Sequence, residues 1–317
     1  MDISVVVPLL NEEDSLPELT EWIDRVMRAH DLTYEVWLVD DGSTDDSWRV
    51  IQRLAAANPC LKGIKFQRNY GKSPALNVGF QRSRGDVIIT MDADLQDSPD
   101  EIPALYRMIR EDGYDVVSGW KRDRQDPLGK TLPSRFFNLV TRMVSGIKLH
   151  DFNCGLKSYR RQVVKSIEVY GDMHRHMPLL AKWAGFRNIG EKVVEHRARK
   201  YGKSKFGLSR LVTGFLDLLT LMFVGKFGKR PMHLFGTIGT VMFLIGFISS
   251  LVIGTTKIYA LANKLPAVLV TNNPWFYISL TTMLMGTILF VTGFLAELVA
   301  RSNPERNTYL VETVLDD

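Results

Sequence analysis

The sequence predicts an α/β domain built on a mainly parallel sheet, followed by two transmembrane helices. Three observations carry this reading. Short apolar runs alternate with amphipathic helical patterns through the first part of the chain. Polar and acidic groups recur just after those runs. Two stretches near the C-terminus, 234–256 and 275–296, contain no charged residue, in a chain of 317 residues that is 24% charged overall. That length suits two parts better than one typical domain.

The elements follow in order. Strands are expected at 4–8, 35–39, 63–66, 87–91 and 116–118, and helices at 16–30, 45–57, 74–83 and 99–112. A run such as VIITM reads as a buried strand. Asp100 and Glu101 enrich the start of the fourth helix, where the helix dipole favours negative charge. Ligands of such sheets bind outside the carboxyl ends of the strands. Those ends carry Pro8, Asn11 and Glu12, then Asp40, Asp41, Gly42 and Ser43, then Asp92, Asp94 and Asp97. All three groups should line one crevice, and the aspartates call for positive charge among them. Each group alone reads equally well as a turn, a cap or a solvated helix start. No GxGxxG follows the first strand and no GxxxxGK[ST] occurs, so a dinucleotide dehydrogenase and a P-loop hydrolase lose their main support.

Each charge-free stretch is long enough to cross a hydrocarbon core, which takes roughly 20 helical residues. Lys226, Lys229 and Arg230 precede the first, and Arg301 and Arg306 follow the second. The positive-inside rule then puts both chain ends in the cytoplasm, a bias that Lys257 and Lys264 in the connecting loop weaken. Residues 207–224 are apolar with sparse charges at Arg210 and Asp217, as expected for a helix lying on the membrane surface. The expected organisation is therefore a soluble domain over 1–206, a surface helix and linker over 207–230, a two-span hairpin over 231–301 and a tail over 302–317. The expected location is the inner or plasma membrane, with the soluble domain cytoplasmic. The start of the chain lacks the basic n-region of a signal peptide. Cys60 and Cys154 match no metal spacing and read as reduced, buried thiols. A net charge of +5 favours an anionic partner such as a phosphate or a lipid surface. No nucleic-acid partner is expected, and a homo-oligomer stays open.

Together VVVPLLNEE, VDDGSTD, NYGKSPALNVGF and MDADLQD resemble the inverting glycosyltransferases of the GT-A fold. More narrowly, the chain resembles the polyprenyl-phosphate hexose synthases, the group that includes dolichyl-phosphate mannose synthase. The resemblance covers about residues 3–210, and its bacterial branch with two C-terminal spans, the polyprenyl-phosphate glucosyltransferases, covers nearly the whole chain. HDFNCGLKSYRR, MHRHMPLLA and HRARKYGKSKFG share it.

The resemblance implies transfer of a hexose from a nucleotide sugar to polyprenyl phosphate, with UDP-glucose as the expected donor and mannose or a modified hexosamine as alternatives. It implies Mg²⁺ or Mn²⁺ held by Asp94, Gln96 and Asp92. A cation bridging the diphosphate would stabilise the leaving group, and hard cations take oxygen ligands. Pro8, Asn11, Glu12, Asp40, Asp41, Lys72 and Asp92 are implied for base, ribose and diphosphate. Lys121, Arg122 and Arg135 fall to the acceptor phosphate, because arginine suits bidentate phosphate binding. Arg197, Arg199, Ser204 and Lys205 stand between donor diphosphate and acceptor. Asp151, with Asp97, is implied as the catalytic carboxylate. A phosphate monoester has a second pKa near ~6, so the acceptor is mostly dianionic already and needs little help from a base. His174, Arg175 and His176 have no metal spacing and read as surface or interface residues. Two other readings compete. A processive polysaccharide synthase would carry a QxxRW signature, which is absent from the sequence. A membrane-anchored sugar-nucleotide-binding scaffold would be expected to have lost the aspartates.

Overall fold

The computed structural model describes residues 1–122, 138–143, 145–169, 171, 173–198, 200–201, 227, 231–266 and 269–302. It divides into two compact units, Met1–Leu219 and Thr220–Asp317.

The first unit opens with β1 (Ile3–Leu9), α1 (Leu16–Ala29), β2 (Tyr34–Asp40), α2 (Ser47–Ala57), β3 (Leu61–Lys65), α3 (Lys72–Arg82), β4 (Val87–Thr90), α4 (Ile102–Arg110) and β5 (Val116–Trp120). These are the five expected strands and four expected helices, with shifted ends. Helix α3 starts two residues before the expected 74, because Pro74 is tolerated in a first turn whose N–H groups have no helical partner. Lys72 is therefore the first residue of a helix and not part of a loop. The segment expected as a helix over 99–112 divides into a single 3₁₀ turn, Pro99–Glu101, and α4.

Two strands escape the sequence reading: β6 (Lys157–Arg160) and β7 (Ile189–Val193), with α5 (Arg161–Ser166) and α6 (Met177–Trp183) between them. The sheet order is β3-β2-β1-β4-β6-β5-β7. All pairings are parallel except those of β6, which runs antiparallel to β4 and to β5. β1 is fully buried, and Pro8 sits in it at no cost to the ladder with β4, which ends at Val6↔Thr90. The aliphatic faces of β1, β2 and β4 pack with Leu16, Leu19, Ile23, Ile102 and Leu105 into one core. Cys154 is buried, Cys60 is only half-buried, and both are free.

At the amino edge of the sheet the core also buries Glu35. Its Oε1 accepts from Ser4 Oγ and from the Arg84 backbone N–H, both at 2.7 Å, and its Oε2 receives Lys62.

The second unit holds α7 (Met232–Ala262) and α8 (Pro274–Ser302), both long and apolar enough to cross a membrane. They pack backbone to backbone. A Cβ on Gly239 would stand 2.6 Å from the Gly286 carbonyl oxygen, and one on Gly246 2.6 Å from that of Ser279. Small residues permit this approach, which drives helix pairing where no hydrophobic effect operates.

Candidate active site

The carboxyl ends of β1 and β2 are stitched together by side chains. Asn11, in the left-handed region at φ 56°, donates its backbone N–H to Ser43 Oγ at 2.9 Å, and its Oδ1 accepts from the Thr44 N–H at 2.8 Å. The Glu12 N–H donates to Ser47 Oγ at 2.9 Å. Asp40, the last residue of β2, is fully buried. Its Oδ1 accepts from the Ser43 N–H at 2.8 Å, while its Oδ2 has no hydrogen-bond partner among the described residues. Asp41 behaves differently from the ligand role expected of it. Its two oxygens accept the N–H groups of Tyr70 and Gly71 at 2.7 and 2.9 Å. Asp41 is a clamp on the loop before Lys72, which corrects its assignment to the nucleotide.

After β4 the chain alternates. Asp92, Asp94 and Gln96 are half-buried, while Ala93, Leu95 and Asp97 are buried between them. Leu95 sits at φ 60°, a conformation that few branched residues adopt, and holds this turn tight against the core. Asp94 Oδ1 accepts the Gln96 N–H at 3.2 Å. Lys72 reaches across from the start of α3 and pairs with Asp92. Burial alone would raise the Asp92 pKa, but the Lys72 ammonium outweighs it, helped by Lys121 and His174, and the carboxylate stays charged well below the usual range. The loop entering β6 presses on the same group: a Cβ on Gly155 would stand 2.5 Å from Asp92 Oδ2.

The structure redirects two further assignments. Asp97 has no exposed side-chain surface, and its Oδ1 is held by Lys121 Nζ at 2.7 Å. In this structure Asp97, implied as a catalytic carboxylate, is the buried ion-pair partner of Lys121. Lys121 is likewise committed; burial would lower its pKa, but Asp97 raises it. Its ammonium holds Asp97. Arg197 is anchored through its N–H to the Gln96 carbonyl at 3.0 Å, and its guanidinium lies 4.4 Å from the Trp22 ring centroid with Glu195 on its Nε at 3.1 Å. A phosphate would have to displace those contacts. Arg122 is exposed just beyond β5. Asp151 is buried across the crevice, its Oδ1 accepting the Asn153 N–H at 2.9 Å and its carbonyl accepting Ser118 Oγ at 3.1 Å. Arg135, Arg199, Ser204 and Lys205, with the surface helix expected over 207–224, lie outside the described residues.

Sequence reasoning missed Lys157 and His174. Lys157 opens β6 with 3% of its surface exposed, and its ammonium donates to the Cys154 carbonyl. His174 is bonded twice to Ser73 of α3. His176, expected at a surface, is fully buried, and burial pulls its pKa down to about 4. The signal for Lys157 was its place between Leu156 and the aromatic Tyr159 in an otherwise strand-like run. His174 left no local signal, because its partner lies 101 residues away.

Among the described residues no cluster of three His, Cys, Asp or Glu side chains could hold a metal. A divalent ion bound together with a substrate needs no such cluster. Such ions take one or two carboxylates and complete their shell with phosphate oxygens and water. Asp92, Asp94 and Gln96 are the half-buried positions of the turn, and Gln96 Nε2 donates to the Arg197 carbonyl at 3.4 Å.

Residues 4–168 match the model of glycosyl transferase family 2. The dodecaprenyl-phosphate galacturonate synthase of Rhizobium johnstonii is 34% identical, over 100% of this chain and 94% of the relative. The undecaprenyl-phosphate 4-deoxy-4-formamido-L-arabinose transferase of Pseudomonas paraeruginosa is also 34% identical, over 99% of this chain and 90% of the relative. Among solved structures, glucosyl-3-phosphoglycerate synthase from Mycobacterium tuberculosis, in complex with Mn²⁺, UDP and phosphoglyceric acid, superposes with a TM-score of 0.55 at 20% identity, covering 71% of this chain and 78% of that one. It shares the GT-A-like fold.

Proposed function

The chain belongs to glycosyl transferase family 2, among its polyprenyl-phosphate glycosyltransferases, and from that premise we propose how it works. The donor is a uridine diphosphate sugar, and the sugar moves in one displacement with inversion to a polyprenyl phosphate. The observation that carries this reading is the convergence of Asp40, Asp92 and Asp94 at one edge of the sheet, with the buried Asp151 close enough to Lys157 at the start of β6 to act on it electrostatically. The buried Oδ2 of Asp40 can only accept a hydrogen bond, which suits the imide N–H of uracil. Asn11 and Glu12 shape the same end of the crevice. Glucose, the sugar first expected, finds no support among the relatives, whose names carry galacturonate and formamido-arabinose.

Asp94, Asp92 and Gln96 would hold Mg²⁺ or Mn²⁺, which as a Lewis acid stabilises the charge developing on the departing diphosphate. Lys72 sits beside Asp92 and can shift its ammonium to that diphosphate. The acceptor phosphate attacks as a dianion, so Asp151 chiefly fixes its line of approach to the anomeric carbon. Arg135 and Arg122 are the cations proposed for docking the acceptor.

The hairpin of α7 and α8 anchors the protein in the membrane where a polyprenol lies. We take the catalytic unit and both chain ends to be cytoplasmic; a reporter fused at Asn263 should then behave as exported and one at Asp317 as cytoplasmic. The function is tested by incubating membranes that contain the protein with short polyprenyl phosphate and a panel of UDP-, GDP- and CMP-sugars. Mass spectrometry should find a polyprenyl-phosphate sugar with a UDP donor. Product formed only with another nucleotide would refute the uracil reading.

A further inference from the structure

We propose that the edge of the sheet over β6 is the subsite for the donor's sugar, and that Lys157 and His174 recognise a uronate there through its carboxylate. The inference rests on the donor lying as described above and adds the class of sugar.

The strand order supplies the direction. Asp40 ends β2 and the Asp92–Asp94 turn follows β4, so base and diphosphate run from β2 towards β4. The next strand in the sheet is β6, and beyond it β5. A sugar attached to the diphosphate therefore lies over the start of β6. Lys157 is that start, level with Thr90 of β4 and Ser118 of β5.

Lys157 is an unusual residue to bury at this place. An ammonium has three N–H donors, and the Cys154 carbonyl is the only hydrogen-bond partner it has among the described residues. A buried cation is costly unless an anion accompanies it. Burial pulls the Lys157 pKa below its ordinary value and the like charge of Lys72 adds to this, while Asp151 and Asp92 act against it.

His174 adds a directed donor. Its backbone N–H donates to Ser73 Oγ at 3.0 Å, and the same Oγ lies 3.0 Å from Nδ1, to which its hydroxyl proton can donate. With Ser73 donating to Nδ1 the ring proton lies on Nε2, which is the tautomer the proposed subsite requires. Burial, then Lys72, Arg175 and Lys157, hold its pKa well below the usual value, so the ring stays a neutral N–H donor. It is half-buried, unlike the sealed His176. The subsite thus offers N–H donors and positive charge. A neutral hexose presents hydroxyls that donate as well as accept. A carboxylate presents acceptors only, and its charge answers that of Lys157.

The test measures binding of UDP, UDP-galactose and UDP-galacturonate to the full chain in nanodiscs with Mn²⁺, by calorimetry. Wild type should bind UDP-galacturonate about tenfold or more tighter than UDP-galactose, the range expected of one charge-assisted hydrogen bond. Lys157→Met should bring the two sugars within about threefold while UDP affinity holds. His174→Gln, which keeps an N–H near the Nε2 position, should retain most of the preference that His174→Phe loses. Equal affinities in wild type would overturn the inference. So would a Lys157→Met protein that loses UDP and UDP-galacturonate alike, since that marks a structural lysine. Failure of wild type to bind UDP at all would instead overturn the donor reading beneath it. If Lys157→Met does not fold, the wild-type ratio and the His174 pair decide.

Discussion

At the amino ends of its strands the sheet buries Glu35, and at the carboxyl ends it buries Asp40, but the two carboxylates are finished differently. Glu35 receives Ser4 and Arg84 on one oxygen and Lys62 on the other. Asp40 receives Ser43 on one oxygen, and the other has no partner among the described residues. Burial and charge are alike in the two places, so neither marks function. What separates them is the filling of lone pairs. A carboxylate satisfied from within the fold is a structural part, and one left open at a strand end is set up for a ligand. By this measure Asp41 belongs with Glu35, although it lies at the carboxyl edge.

The largest way to break the comparison is at the open edge. Asp94→Asn removes a charge from the half-buried side of the turn and no core contact. Transfer should fall about a thousandfold, with the thermal unfolding midpoint unchanged. Wild-type turnover in Mg²⁺ or Mn²⁺ would remove Asp94 from the metal site. Asp151→Asn should come next. Transfer should drop about a hundredfold while donor affinity, read by calorimetry, stays within a few-fold. Loss of donor binding would move Asp151 to the nucleotide side.

At the closed edge the same kind of change should act on stability alone. Glu35→Ala leaves Lys62, Ser4 and the Arg84 N–H without their acceptor and should destabilise the protein by about 2 kcal/mol, discounted because Lys62 is a third exposed. The KM for donor and the kcat should not change. Burial would raise the Glu35 pKa, but Lys62, Ser4 and Arg84 bring it below its ordinary 4.5. Its contribution is therefore present above pH 4.5 and lost as pH falls through the depressed folded value. Denaturation of wild type and variant should converge below that pH. A gap that persists there would mean that lost packing, not charge, sets the difference.

Much of this was legible beforehand. The apolar runs and the acidic groups after them placed β1, β2, β4 and the crevice, because burial on both faces leaves a local signature in sequence. The spacing inside MDADLQD held more than was taken from it. Residues two apart share a side, so Asp92, Asp94 and Gln96 face the crevice together, while the three-residue step to Asp97 turns it inward. Strand β6 stayed hidden because Lys157 and Arg160 give it the composition of a surface segment. Its burial follows from its antiparallel place between β4 and β5, a long-range property. The pairing of Lys121 with Asp97 and of His174 with Ser73 likewise arises only when distant segments meet.

The smallest change sharpens the comparison most, because it sits at the open edge and should still behave like a structural one. Asp41 follows Asp40 directly, yet its oxygens hold the N–H groups of Tyr70 and Gly71, just before Lys72 begins α3. Asp41→Asn keeps the shape and one acceptor, but turns an NH₂ group towards an N–H. That should cost about 1 kcal/mol of stability, less than Glu35→Ala because one of the two bonds survives. A loosened Tyr70–Gly71 loop would also let Lys72 wander from Asp92, so the KM for the donor should rise a few-fold with kcat nearly unchanged. Asp40→Asn, next door, should instead weaken UDP binding itself, since the amide can offer its NH₂ group where the imide N–H needs an acceptor. Calorimetry with UDP alone separates the two variants. If Asp41→Asn weakens UDP as much as Asp40→Asn does, filled lone pairs do not distinguish structural from ligand-binding carboxylates at this edge.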